Sequence, residues 1–224
     1  MPSLAKWSVV LLLLPLFALS TPAQESPTYE VFAGAAYTRE DITDAKVVNG
    51  KLKDRYINGI GWHASVTGNA NSWIGAVFDF SGEFSNPRFS PADFGLPQNT
   101  PVVTVNSSTF TYLFGPRFTY RRMRHITPFA EALFGPATLR VSSSDLGLTD
   151  VISSTTFATA LGGGIDIPVS RVVSIRLIQA DYVLTRFREL GIDSNTELPV
   201  FNGQRRTQNN LRASVGVVFN FGRR

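Results

Sequence analysis

A single all-β sheet of eight long antiparallel strands, closed on itself, is the fold this sequence predicts, and three observations predict it. Apolar residues alternate with small or polar ones through eight separate runs, and such alternation marks a strand whose two faces meet different environments. The runs are 10 to 17 residues long, where strands of ordinary globular domains average about five or six. Short and long links follow one another in strict alternation, so one end of the sheet differs from the other. Composition agrees with an ordered chain: of 224 residues 43% are hydrophobic and only 17% charged, which excludes a disordered or a collagen-like protein. The absence of cysteine excludes a disulfide scaffold, a thiolate zinc site and a thiol nucleophile. Basic residues exceed acidic ones by 21 to 17 without gathering on one element, so no nucleic-acid partner is expected.

In chain order, residues 1–23 read as a cleavable signal peptide and 24–224 as one barrel domain. Lys6 precedes the apolar run Val9–Leu19, and small or polar residues lead to a cleavage point after Ala23. Eleven apolar residues broken by Pro15 fall short of the ~20 that a membrane-spanning helix needs. Loss of Lys6 lowers the net charge from +4 to +3. The eight runs fall near 30–39, 57–68, 73–84, 109–121, 126–140, 155–169, 171–187 and 207–221. In the fourth, Phe110, Tyr112, Phe114, Phe118 and Tyr120 oppose Thr111, Leu113, Gly115, Arg117 and Thr119. In the last, Leu211, Ala213, Val215, Val217, Phe219 and Phe221 oppose Arg212, Ser214, Gly216, Val218 and Asn220. The links at 69–71, 122–125 and 170 are tight, whereas 40–56, 85–106, 141–154 and 188–206 read as long polar loops.

The position of the apolar face separates two kinds of barrel. A soluble barrel of the lipocalin type turns that face inward and covers its outside with Lys and Glu. Past the leader the chain has only Lys46, Lys51 and Lys53, all in one loop. Its less apolar face is built instead from small residues: Gly59, Gly61 and Ser65, then Ala158, Ala160, Gly162 and Gly164. Small residues suit a narrow interior, so the bulky ones point outward into lipid, and closure of the sheet satisfies every backbone group there. The prediction is an eight-stranded antiparallel transmembrane β-barrel of the outer-membrane type. Over residues 28–221 the chain resembles the small OmpA-like and OmpX-like outer-membrane barrels in strand count, link alternation and a last strand closing on an aromatic residue. The resemblance implies export to a bacterial outer membrane, both termini periplasmic, and outer-membrane lipids as surroundings. It also implies recognition by the barrel assembly machinery through the last strand ending at Phe221; the tail Gly222-Arg223-Arg224 departs from that pattern.

Inward charges can be paired by hairpin geometry, since equal offsets from a turn bring cross-strand partners to ~5 Å on one face. Arg117 then meets Glu131, Asp166 meets Arg176, and His63 faces the neighbourhood of Asp79. Strict alternation after Arg176 would aim Gln179 and Asp181 into lipid; a one-residue bulge at Leu177-Ile178 turns both inward, where Asp181 meets Arg212. Placing Glu131 inside puts Phe129 and Leu133 inside and Ala130, Ala132 and Phe134 outside, because a carboxylate on the lipid face costs more than a crowded lumen. The four pairs, nearly balanced in charge, read as a structural polar plug, since eight strands leave an interior just wide enough for side chains.

Other motifs carry less. His63-Ala64-Ser65 is similar to the His-x-Ser arrangement of outer-membrane lipid A deacylases, but here both residues share the inward face with Gly59 and Gly61. Gly162-Gly163-Gly164 lies mid-strand with no helix after it, so it is no phosphate loop and instead allows strong curvature or makes room for Arg176 and its neighbours. The loop acids at 40–54, 93, 145–150 and 189–197 are scattered, and His125 sits alone in a turn, so no catalytic, cofactor or metal site is expected. Arg121, Arg122 and Arg124 fall at the periplasmic rim near lipid phosphates, beside an interfacial girdle of Phe118, Tyr120, Phe219 and Phe221. The role expected is non-enzymatic: envelope structure, or display of the long loops to an external partner. A narrow, porin-like pore for small solutes is the alternative, and a lipid-modifying enzyme the third reading.

Overall fold

The computed structural model describes residues 26–48, 51–86, 88–89, 103–104, 106–143, 148–192 and 199–222. The expected signal peptide, 1–23, and Arg223-Arg224 of the tail lie outside the described residues. Eight strands make the barrel: β1 (Tyr29–Val48), β2 (Lys51–Asn69), β3 (Ile74–Ser85), β4 (Asn106–Thr119), β5 (Thr127–Ser143), β6 (Leu148–Pro168), β7 (Val173–Ile192) and β8 (Pro199–Phe221). Each pairs antiparallel with its neighbour in sequence, and β1 closes against β8 from Tyr29↔Phe221 to Arg39↔Leu211. At this seam Gly34 lies opposite Gly216. A Cβ on Gly34 would come 2.1 Å from the Val215 carbonyl oxygen, so the close approach of the two backbones depends on glycine.

The strands run further than alternation marks them. Residues 40–56, 141–154 and 188–206, expected as loops, are largely ladder: pairing reaches Val48↔Lys51, Ser143↔Leu148 and Ile192↔Pro199. The 85–106 link holds a two-residue ribbon, Arg88–Phe89 with Val103–Thr104. In these stretches the sequence no longer alternates between apolar and polar residues, while the backbone ladder continues.

The tight end is closed by short devices. The Asn71 side chain accepts from the Trp73 and Ile74 amides, both at 2.9 Å, and the Ser170 hydroxyl accepts from Val172 and Val173 at 3.2 and 3.0 Å. These are Asx- and Ser-type turns, in which the side chain stands in for a backbone acceptor. The first and last strands meet at the same end, where the Thr28 amide donates to Phe221 at 2.9 Å.

Burial inverts the order of a water-soluble protein. Arg117, Arg176 and Arg212 are 1%, 0% and 1% exposed and are the largest of the fully buried side chains. Ile60, Phe78, Phe157, Leu161 and Val215 stand exposed on the outside. Lys and Arg are almost never buried without partners, and an exposed apolar belt of this extent marks a surface made for something other than water. The outward faces predicted for the fourth and last runs, and for Ala130, Ala132 and Phe134, all look out. The lumen also holds an apolar cluster that includes Val77, Leu113, Leu133, Val183 and Phe187; it packs one part of the interior while ions fill the rest.

Candidate functional site

Seven carboxylates and three arginines converge in the lumen, with Arg121 at its rim, because β-strand alternation turns every second side chain of each wall inward. Arg117 on β4 and Glu131 on β5 are direct cross-strand partners, joined at 2.7 and 2.8 Å. Arg117 also donates to Thr67 at 2.9 Å. Arg176 on β7 lies opposite Asp166 on β6 and grips it with two bonds of 2.8 and 3.0 Å. Between these pairs lies the Phe129 ring, with the Arg117 and Arg176 guanidinium carbons each 4.4 Å from its centroid. Phe32 stacks on Arg176 as well, at 4.2 Å. Such contacts reward the planar, weakly hydrated guanidinium that lysine lacks.

The bulge in β7 joins the two halves of the lumen. Ile165 pairs with Ile178 but Asp166 with Arg176, so Leu177 is the extra residue, and Leu177 and Ile178 both face outward. Gln179 and Asp181 are thereby turned inward. Gln179 accepts from Arg176 at 2.7 Å and donates to Glu131 at 2.8 Å and to Asp181 at 3.0 Å. Arg212 on β8, paired with Asp181 on β7, bonds Asp181 at 2.9 Å and Asp79 at 3.1 Å. Asp79 in turn accepts from His63 Nε2, and Ser214 Oγ lies 2.9 Å from His63 Nδ1. The four pairs expected from sequence all meet, but as parts of a connected network.

The His63–Asp79 pair is diagonal: His63 lies directly opposite Ser81, and Asp79 opposite Ser65, because the Asn71 turn lengthens the link and moves its centre past residue 70. One expectation needs correction, since the charge is not balanced. Glu30, Glu40 and Glu83 join Asp79, Glu131, Asp166 and Asp181 in the lumen, against Arg117, Arg121, Arg176 and Arg212. Glu30 bonds Asn69 at 2.9 Å and pairs with Arg121, which also donates to the Ser72 carbonyl at 2.7 Å. The signal was present: Glu30 and Glu40 share the face of Phe32, Ala36 and Thr38, and Glu83 that of Asp79. Glu40 falls at the start of the span 40–56 that the sequence reads as a loop.

Asp79, His63 and Ser214 form an acid–imidazole–hydroxyl chain, with the carboxylate on Nε2 and the hydroxyl on Nδ1. In hydrolytic triads the carboxylate holds Nδ1 and the nucleophile Nε2. All three residues are buried to within 1% of completely, and a nucleophile needs adjoining space for its substrate. His63 and Ser65 both face the lumen, away from lipid. A space of about 10 Å³ bounded by Thr38, Glu40, Glu83, Thr109, Asn210 and Arg212 admits about one water molecule.

Gly162 shows how closely the network is fitted. A Cβ there would lie 2.0 Å from Asp181 Oδ1 and 2.6 Å from the Ala180 carbonyl oxygen. Gly162→Ala is expected to cost about 1–3 kcal/mol by overpacking, read as a lower urea midpoint for unfolding from detergent micelles. An unchanged midpoint would show that Asp181 has room to move.

With its outward apolar belt and ionic lumen, the chain is an eight-stranded barrel of the outer-membrane type. No family model and no curated protein sequence matches it. Solved structures do. Neisserial surface protein A is similar at 12% identity with a TM-score of 0.56, over 90% of this chain and 100% of that one. Ail, the attachment invasion locus protein of Yersinia pestis, follows at 14% identity and TM-score 0.50, over 88% and 99%. The outer membrane protein OprG from Pseudomonas aeruginosa is similar at 9% identity and TM-score 0.50, over 89% and 98%. At these identities the likeness is one of fold.

Proposed function

We propose that the chain is a non-conducting, non-catalytic protein of a bacterial outer membrane that presents its extended hairpins outside the cell. The observation that carries this reading is the filled lumen, in which three buried arginines and their carboxylates occupy the axis where a conduit would run. Barrels of this class keep short turns on the periplasmic side and longer connections outside, which puts Tyr29 and Phe221 in the periplasm and the long β1–β2, β5–β6 and β7–β8 hairpins beyond the surface. In this reading the ions register and rigidify the wall, outer-membrane lipids cover the belt, the last strand ending at Phe221 is read by the assembly machinery, and the hairpins meet external partners. One structural neighbour is named for attachment and invasion, which supports a contact role for such outer segments.

Recording from a planar bilayer tests the proposal. Purified, heat-modifiable protein is expected to leave the membrane current at its protein-free baseline. Steady, voltage-independent steps that scale with salt would replace the plug with a pore.

A further inference from the structure

The lumen holds more carboxylates than its arginines match, and the surplus gathers in one place. Glu131 is paired with Arg117, Asp166 with Arg176 and Glu30 with Arg121. Arg212 serves both Asp79 and Asp181, and Asp79 also has His63. Among the described residues this leaves two acids without a hydrogen-bonded cation, Glu40 on β1 and Glu83 on β3. Both bound the space of about 10 Å³ beside the last rung of the β1–β8 ladder, Arg39↔Leu211.

The two acids are not equivalent. Glu83 accepts from the Ser81 hydroxyl at 2.7 Å and stands 4.0 Å from Arg212 Nη1. Glu40 accepts only from the Thr109 hydroxyl, at 3.5 Å, the far limit of a hydrogen bond. Around the space the charged side chains are these two and Arg212, while β2 sets Ile57 opposite Glu40 and β7 brings Val183. Glu40 therefore faces a second carboxylate and has no cation of its own. An unpaired buried charge costs far more than a buried neutral acid, and a like charge in the same sealed space adds to that cost. A second observation points to an occupant. Thr38, 4% exposed, bounds the same space, and neither its Oγ1 nor Arg212 Nη1 has a hydrogen-bond partner. Buried polar atoms are satisfied by protein or by ordered water, and one water fits this volume. A metal cation suits it less, because the Arg212 guanidinium faces it too.

We propose that Glu40 is a proton-binding site: at neutral pH it holds a proton and directs it, through one buried water, toward the ionised Glu83. The water accepts from the Glu40 O–H and from Arg212 Nη1, and donates to Glu83 and to Thr38 Oγ1. All four of its hydrogen-bonding positions are then used, and both unpartnered atoms are satisfied. The surplus of negative charge in the lumen falls by one, without a second cation beside Arg212.

The full chain, Glu40→Gln and Glu83→Gln are refolded in micelles and compared by infrared spectroscopy at neutral pH. The unsubstituted protein is expected to show the carbonyl stretch of an un-ionised carboxyl, displaced to lower frequency in heavy water. Glu40→Gln is expected to lack that band and Glu83→Gln to keep it. Urea unfolding counts the same proton. Where native Glu40 is neutral and the unfolded chain's is ionised, the native state binds one proton more, so folding weakens as pH rises. Relative to Glu40→Gln, the folding constant of the unsubstituted chain then falls about tenfold per pH unit. The proposal is overturned by the absence of a carboxyl band, by a band that survives Glu40→Gln or is lost in Glu83→Gln, or by parallel pH profiles. Failure of Glu40→Gln to fold also overturns it, since glutamine imitates the neutral acid.

Discussion

Arg212→Met is expected to destabilise the barrel by about 3–5 kcal/mol, the cost of leaving buried charge without its partner. Arg212 is 1% exposed and bonds Asp181 at 2.9 Å and Asp79 at 3.1 Å, with Glu83 4.0 Å away. Methionine keeps much of the volume, so the loss reads the charge and not a cavity. What remains would be two carboxylates in a sealed interior, with His63 still bonded to Asp79. The measurement is urea unfolding of refolded protein in micelles, followed by tryptophan fluorescence. Adding Asp79→Asn and Asp181→Asn to Arg212→Met removes the orphaned charges and is expected to return most of the loss. That recovery distinguishes an electrostatic cause from damaged packing, because groups in one network are not additive. A single variant that unfolds with unchanged midpoint would mean that water reaches the lumen and solvates the acids, and the plug proposal would fall with it.

How legible this network is depends on the distance over which its residues meet. Arg117 with Glu131, and Arg176 with Asp166, are neighbours across one tight hairpin, and the sum of their residue numbers is enough to pair them. The β7 bulge is legible for an energetic reason: without it Gln179 and Asp181 would face hydrocarbon, and the chain moves Leu177 and Ile178 to the outside instead. Contacts across the lumen are another matter. His63 touches Ser214 and Arg212 reaches Asp79, 151 and 133 residues apart. Which inward side chains share a layer depends on the stagger of the closed sheet, which no local run of sequence specifies. The outer ends of the strands are illegible for the opposite reason, since their sequence does not alternate and so offers no apolar face to announce a strand. Glu40 was lost to that boundary. The resemblance to small outer-membrane barrels and the solved structures agree on the wall.

Val215→Arg is expected to cost about 2–4 kcal/mol when the protein is unfolded from lipid vesicles, because the substitution sets a charge near the middle of the hydrocarbon layer. On β8 the outward residues run Leu211, Ala213, Val215, Val217, Phe219 and Phe221. At ~3.3 Å per residue and a tilt of ~40°, that stretch projects to ~25 Å, the height of an apolar band. Val215 lies near its centre, is 52% exposed, and its neighbours Arg212 and Ser214 point the other way. An arginine there has no lumenal partner and must reach the surface by extending its chain or thinning the bilayer. Thr207 faces outward on the same strand but lies beyond the belt, so Thr207→Arg is expected to cost about 0–1 kcal/mol. The contrast between the two positions is the informative quantity, since a general intolerance of substitution would affect both. Equal costs along β8 would show that its outer face meets one uniform solvent; a clear maximum at Val215 would place acyl chains against that face.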